Sequence, residues 1–207
     1  VKAKSDADDV CSALTIASEE GHLDIVRALL DAGANANELR GDDPDNPKQK
    51  QRTPLMHAAE NGHELVVKLL IERGADVNAH KKKRSVLMMA CQYGYTNCAK
   101  HLLDANADIN AKNDRNETAL MFCARYGHSG CCSLLIERNI NVSGECDKPT
   151  WTSLHRACAN GHTSTASILL DACPKLLDHQ DEKKGFTPMM AAATSGYENT
   201  ILMLLHQ

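Results

Sequence analysis

Aromatic side chains are scarce in this chain. Its 207 residues include one Trp, four Tyr and two Phe, 3% of the total. A core so poor in rings must be built from Leu, Ala, Val, Ile and Met, which suits stacked helices better than a β-sandwich. An excess of charge of either sign is also lacking. The 23 Lys and Arg face 27 Asp and Glu, for a formal charge of −4. That balance gives no general drive toward nucleic acid or an anionic membrane, so neither is expected as a partner. No apolar run approaches the roughly 18 residues that would suggest a membrane span, and no signal peptide opens the chain. An even cysteine count is missing too. The nine Cys are scattered through apolar stretches, with one adjacent pair, Cys131 and Cys132. A secreted disulfide framework favours even counts in shorter chains. Buried, reduced thiols are the better reading, and the expected location is intracellular, in the cytoplasm or nucleus. There is no initiator Met, and the chain stops at Leu204-Leu205-His206-Gln207. The expectation is a segment excised from a longer protein.

What is present is ordinary for a folded chain, 43% hydrophobic and 24% charged, and it is periodic. Thr53-Pro54-Leu55-Met56-His57-Ala58 is followed by Gly62-His63, Leu69-Leu70 and Gly74-Ala75-Asp76-Val77-Asn78. The same frame starts at Ser12, Ser85, Thr118, Thr152 and Thr187, with successive offsets of 41, 32, 33, 34 and 35 residues. Repetition at this period resembles the ankyrin-repeat family, whose unit is about 33 residues with a Thr-Pro-Leu-His-x-Ala signature.

The resemblance implies an all-α fold, a solenoid of stacked helix-turn-helix units with short β-hairpin fingers. It covers residues 1–207 as one domain. The repeats are placed near 8–40, 50–81, 82–114, 115–148, 149–183 and 184–207, with an inserted finger at 41–49. Each position has a physical reason. Thr or Ser caps the first helix, and Pro at its first position loses no needed hydrogen bond. Gly nine residues after the cap ends that helix at positive φ. The Leu pair faces inward on a second, antiparallel helix. No repeat buries its apolar face alone, so stability comes from stacking. Cys173-Pro174-Lys175-Leu176-Leu177 replaces the Gly-Ala-Asp turn in the fifth repeat, which predicts a remodelled turn there.

Catalytic and metal chemistry find no support. The pairs Cys91 with Cys98, Cys123 with Cys131, and His155 with Cys158 lack the paired Cys-x₂₋₄-Cys spacing of zinc sites. No phosphate-cradling Gly motif occurs. His22, His63, His128 and His162 share one frame position after the helix-ending Gly, and His155 holds the signature His. That periodicity makes them structural, bonding Thr hydroxyls or neighbouring backbone. The segment is read as a non-enzyme without cofactor or metal.

In the family's frame the variable positions fall four, seven and eight residues after the cap. They select His57, Glu60 and Asn61; Met89, Gln92 and Tyr93; Phe122, Arg125 and Tyr126; and Arg156, Ala159 and Asn160. The expected partner-binding residues are Met89, Tyr93, Phe122, Arg125, Tyr126, Trp151 and Arg156, with packing between first helices as the other account of the rings. The basic run Lys81, Lys82, Lys83 and Arg84 occupies the finger entering the third repeat. Together these suggest a protein or extended peptide with acidic residues flanking an apolar anchor, bound by a monomeric scaffold or adaptor. Two other readings stand beside this one. One is a methyl-lysine reader of histone tails, as in the ankyrin segments of some histone methyltransferases; the other is a purely structural stretch. Asn78 and Asn110 follow Leu at minus eight and Asp at minus two, which is similar to the context asparaginyl hydroxylases accept. The same Asn also has an ordinary turn-capping role.

Overall fold

A computed structural model of the chain describes residues 6–39, 52–81, 84–142, 151–181 and 184–207, with backbone alone at 6–12 and 81. The expected inserted finger, and Lys82 and Lys83, lie outside the described residues. The described chain is helical. Its helices come in pairs: α1 (Asp6–Glu19) with α2 (Leu23–Asp31), α3 (Pro54–Asn61) with α4 (Glu64–Glu72), and α5 (Val86–Tyr93) with α6 (Thr96–Asp104). They continue as α7 (Ala119–Tyr126) with α8 (Ser129–Glu137), α9 (Ser153–Ala159) with α10 (Thr163–Ala172), and α11 (Pro188–Ser195) with α12 (Glu198–Leu205). One finger closes as a hairpin, in which β1 (His80–Lys81) pairs antiparallel with β2 (Arg84–Ser85).

The caps follow the sequence. The hydroxyls of Thr53, Ser85, Thr118 and Thr187 accept the backbone N–H three residues on, at 3.2–3.4 Å. Thr152 goes further: its hydroxyl accepts from the His155 amide, while the His155 ring accepts from the Thr152 amide at 3.3 Å. Such caps satisfy amides that a helix leaves without an internal partner. The first repeat departs from the frame. Its helix starts at Asp6 rather than at Ser12, which lies within α1. In the fifth repeat the remodelled turn is a 3₁₀ turn, Pro174–Leu176.

Contacts divide the chain into two compact units. The first takes in Val1–Ala90, Asn97–Asp108 and Lys112–Asp114. Its core holds Leu14, Leu55 and Leu87 at the signature Leu position, with Leu70 and Leu102 from the second helices, each 0–1% exposed. The second takes in Cys91–Thr96, Ile109–Ala111 and Arg115–Gln207. There Leu120 and Leu154 hold the signature position, with Leu135 and Leu169 from the second helices. Each such Leu contributes about 1.5–3 kcal/mol by leaving water.

A ring over a glycine recurs in both units. In the first, His63 Nε2–H donates to the Glu19 carbonyl at 2.8 Å. In the second, His128 donates to Gln92 and His162 to Arg125, each at 3.0 Å. A carbonyl only accepts, so each ring carries its proton on Nε2. Each ring lies flat against the helix-ending Gly of the repeat before. A Cβ on Gly127 would stand 2.5 Å from the His162 ring, and one on Gly161 would stand 2.4 Å from Tyr197. Gly196 has the same positive φ, 76°, but no neighbour within 4 Å of its Cβ position. Gly127→Ala therefore adds a clash to the strain of positive φ, whereas Gly196→Ala adds the strain alone. Urea unfolding should show a loss of about 1 kcal/mol for Gly196→Ala and of roughly 2–4 kcal/mol for Gly127→Ala.

Candidate functional site

Exposure along the first helices obeys the frame. Of the residues four after the cap, His57 is 2% exposed, Met89 1% and Phe122 6%, whereas Arg156 is half-buried and Ile16 of the irregular first repeat is exposed. Those at plus seven, such as Gln92 and Arg125, are half-buried, and those at plus eight are exposed. The reason is position. A plus-four side chain sits mid-helix between flanking helices, as Phe122 does where α7 packs on α9. A plus-eight side chain sits on the last residue, where the helix ends. The stripe expected from the sequence is narrower than drawn. Met89 and Phe122 are packing residues, and a partner meets no surface on them.

In the second unit Tyr93 and Tyr126 remain 43% and 45% exposed, each ending its helix. Both are braced. Tyr93 stacks on Tyr95 at 6.3 Å, and Tyr126 stacks on His128, the seated ring of its own repeat, at 6.4 Å. Braced rings lose less freedom on binding than loose ones. Arg125 and Arg156, two of the three expected arginines, converge on a residue that sequence reasoning did not place in the site. Glu117 is 5% exposed; Arg156 Nη2 lies 2.8 Å and Arg125 Nη1 3.7 Å from its Oε1. Glu117 immediately precedes the Thr118 cap, and that placement was its one sequence signal. One carboxylate thus holds two guanidinium groups that keep 34% and 18% of their side-chain surface.

Trp151 is half-buried and stacks on His155 at 5.7 Å and on Phe186 at 6.4 Å. His179 meets the His155 ring edge-on at 5.5 Å. His155 itself has no exposed surface. Its Nε2–H donates to the Phe186 carbonyl at 2.9 Å, and Nδ1 lies 2.9 Å from the Thr152 hydroxyl. Burial holds the His155 pKa below its ordinary value, against the pull of the Phe186 carbonyl. Arg84 is half-buried on β2 in the first unit, beside Lys81 on β1.

Asn78 and Asn110 are exposed, and both are bonded across the finger row. Asn78 Oδ1 accepts from the Asp108 amide at 2.8 Å in the first unit, and Asn110 Oδ1 accepts from the Asn141 amide at 3.4 Å in the second. Asn37 makes the same link to Asp76 at 2.6 Å. Two shallow, open depressions of about 330 Å³ lie along α8 and α10. Their linings, Ile136, Ala172 and neighbours, gather no cluster of reactive groups. Among the described residues, no group of three or more His, Cys, Asp or Glu side chains could hold a metal ion, and no helix is long and apolar enough to cross a membrane.

Capped helix pairs with seated rings and a linked finger row can now be set beside known proteins. The family model for an ankyrin repeat matches residues 10–40, and the model for ankyrin repeats in three copies matches 36–113, 87–175 and 143–207. The chain belongs to the ankyrin-repeat family. The crystal structure of the human ASB11 ankyrin repeat domain superposes with a TM-score of 0.77 at 25% identity, covering 93% of this chain and 82% of that one. The ankyrin repeat and KH domain-containing protein mask of Drosophila melanogaster is 41% identical over 78 residues, 38% of this chain. The human ankyrin repeat and KH domain-containing protein 1 is 38% identical over 68 residues, 33% of this chain. Each match spans 2% of the relative's own length. Ankyrin repeats are in general protein-interaction modules, so an ankyrin chain is read for its surface.

Two consequences concern this surface and its support. Removing the Glu117 carboxylate leaves two guanidinium groups to find water. Glu117→Ala should therefore lower stability by roughly 1–3 kcal/mol in urea titrations. His155 must charge when acidified, and its folded form resists the proton. Its contribution is thus present above the unfolded-state pKa of about 6.5 and is lost as pH falls from there toward the lower folded value. Wild type should lose more stability between pH 7.5 and 5 than His155→Gln, read as urea midpoints at both pH values.

Proposed function

We propose that this ankyrin segment is a non-catalytic protein-binding module, a scaffold or adaptor that acts as a monomer inside the cell. The reading rests on one observation above the others. Tyr93 and Tyr126 hold the same frame position and are large, exposed and braced from beneath. Exposed Tyr and Arg are the side chains that most often anchor a protein interface. Arg125 and Arg156 add cationic edges, which suit a partner whose acidic residues flank an apolar anchor. Trp151 lies in the same unit and is half-buried. The basic run Lys81, Lys82, Lys83 and Arg84 in the sequence would steer an acidic partner, an effect on association rate more than on lifetime.

The methyl-lysine reader is less well supported. A cation cage needs several rings around one empty space, and Trp151 already stacks against His155 and Phe186. Hydroxylation of Asn78 and Asn110 is a separate proposal. Both residues are exposed, but their amide oxygens bond the next finger, and a hydroxylase would have to open those bonds.

Affinity capture from a cell lysate, read by mass spectrometry, tests the binding reading. Wild type should retain a protein that a folded Tyr93→Ala, Tyr126→Ala double variant loses. With the partner purified, Tyr126→Ala alone should weaken binding by about 1–3 kcal/mol. Equal recovery by both proteins, or unchanged affinity with lowered stability, would assign the tyrosines to packing.

A further inference from the structure

The sixth repeat has two unlike sides. Towards the fifth repeat it is closed. There α11 packs on α9 and α12 on α10, Ala191 and Thr200 are each 1% exposed, and the Thr200 and Thr163 hydroxyls lie 2.8 Å apart. On the other side the same helices are uncovered. Met190 is 49% exposed and Leu205 61%, and Ala193, Gly196 and Glu198 are exposed as well. Fraying would loosen both sides together, so the difference belongs to one face and not to the helices as such.

The frame shows what these positions do in earlier repeats. Three residues after the cap, Met56, Met88, Met121 and His155 are 0–3% exposed, against 49% for Met190. Six after it, Ala59, Cys91, Ala124 and Cys158 are each 0% exposed, whereas Ala193 is open. Nine after it, Gly94 and Gly127 lie under His128 and His162, and Gly161 lies under Tyr197. Gly196 has a similar positive φ and nothing within 4 Å of its Cβ position. In each earlier case the cover comes from the helix pair of the next repeat. The sixth repeat carries the same small and apolar residues, which would leave water against one more pair as their counterparts do.

Charge narrows the choice of occupant. Glu64, eleven residues after its cap, accepts from the Asn97 side-chain amide at 2.8 Å and lies 3.3 Å from His101 Nε2. Asn97 and His101 stand twelve and sixteen after the next cap, and Glu198 holds the Glu64 position in the sixth repeat. Counted from Ser12, the first repeat of a second copy would bring Asp24 and Ala28 to Glu198. Two carboxylates would then repel, and no bond would stand in for those of Asn97 and His101. A second copy of this chain is therefore a poor match.

We propose that the outer face of α11 and α12 is an interface for one further ankyrin-type helix pair of the same polypeptide. That pair carries a His ten residues after its cap. The ring lies over Gly196 and donates to the Thr194 carbonyl, as His128 and His162 donate to Gln92 and Arg125. Its residue twelve after the cap is uncharged or basic, so that no like charge meets Glu198. The face shares no residue with the tyrosine surface proposed above, so either reading can fail alone.

Gln207 stands where Ala105 stands in the third repeat, so a second copy of residues 106–138 joined to it continues the frame. The native and extended chains are compared by hydrogen exchange and by urea unfolding. Extension should slow amide exchange in α11 and α12 by about tenfold or more and raise the urea midpoint. Gly196→Ala should lower that midpoint further in the extended chain than in the native one, since only there does a ring stand over it. Within the added copy, His128→Ala and Gly130→Asp should each reduce the protection. The first removes the ring and its donor, and the second sets an acid against Glu198. Exchange in α11 and α12 that extension leaves unchanged would overturn the proposal, as would equal losses from Gly196→Ala in both chains. So would a native chain that sediments as a dimer and becomes a monomer with His22→Ala, because a second copy would then be the occupant.

Discussion

Helices of seven to ten residues, which is every described helix here except α1, fall short of the roughly 12–15 that an isolated helix needs in water. They exist because each lays an apolar face against a neighbour before it can fray. The signature Leu of α1, α3, α5, α7 and α9 and an inward Leu of α4, α6, α8 and α10 are almost wholly covered. The chain must therefore be built from repeats that lean on one another. Hydrophobic burial alone would tolerate sliding between repeats. The seated rings do not. His63, His128 and His162 each fill the space left by a missing Cβ and donate one hydrogen bond to one carbonyl. That double condition fixes the register of repeat on repeat within each unit.

Register in turn arranges the surface. Once the repeats are in step, residues eight after each cap come out at helix ends in equivalent places, and Tyr93 and Tyr126 are exposed for that reason. The ring that locks one repeat also supports the surface, since His128 lies beneath Tyr126. The fingers are tied by the same economy, with Asn37, Asn78 and Asn110 each bonding the amide of the next finger. A surface stiffened before binding has little ordering left to undergo, which favours affinity.

Polar side chains in the interior, such as Thr152, His155 and Glu117, are engaged with one another and with backbone. Burial favours the neutral form of His155 and two partners fix its ring in place, which makes it a structural ring.

The sequence by itself determined the fold, because the marks of this fold are local. A Thr followed by Pro, a Gly nine residues on and a paired Leu each report a backbone conformation or an inward face that needs no distant partner to recognise. The role of the recurrent His was legible for the same reason, as periodicity singles out a shared environment. Exposure was legible only in part. Plus-four and plus-eight residues look alike on a single helix, and only packing against flanking helices buries Met89 and Phe122 while leaving Tyr93 and Tyr126 open. Glu117 is one acid among many until folding brings Arg125 and Arg156 onto it. Ser129 and Thr165 are 36 positions apart in the chain, and the bond between their hydroxyls was decided by tertiary structure alone, because it depends on which helices stack and not on what either residue's neighbours are.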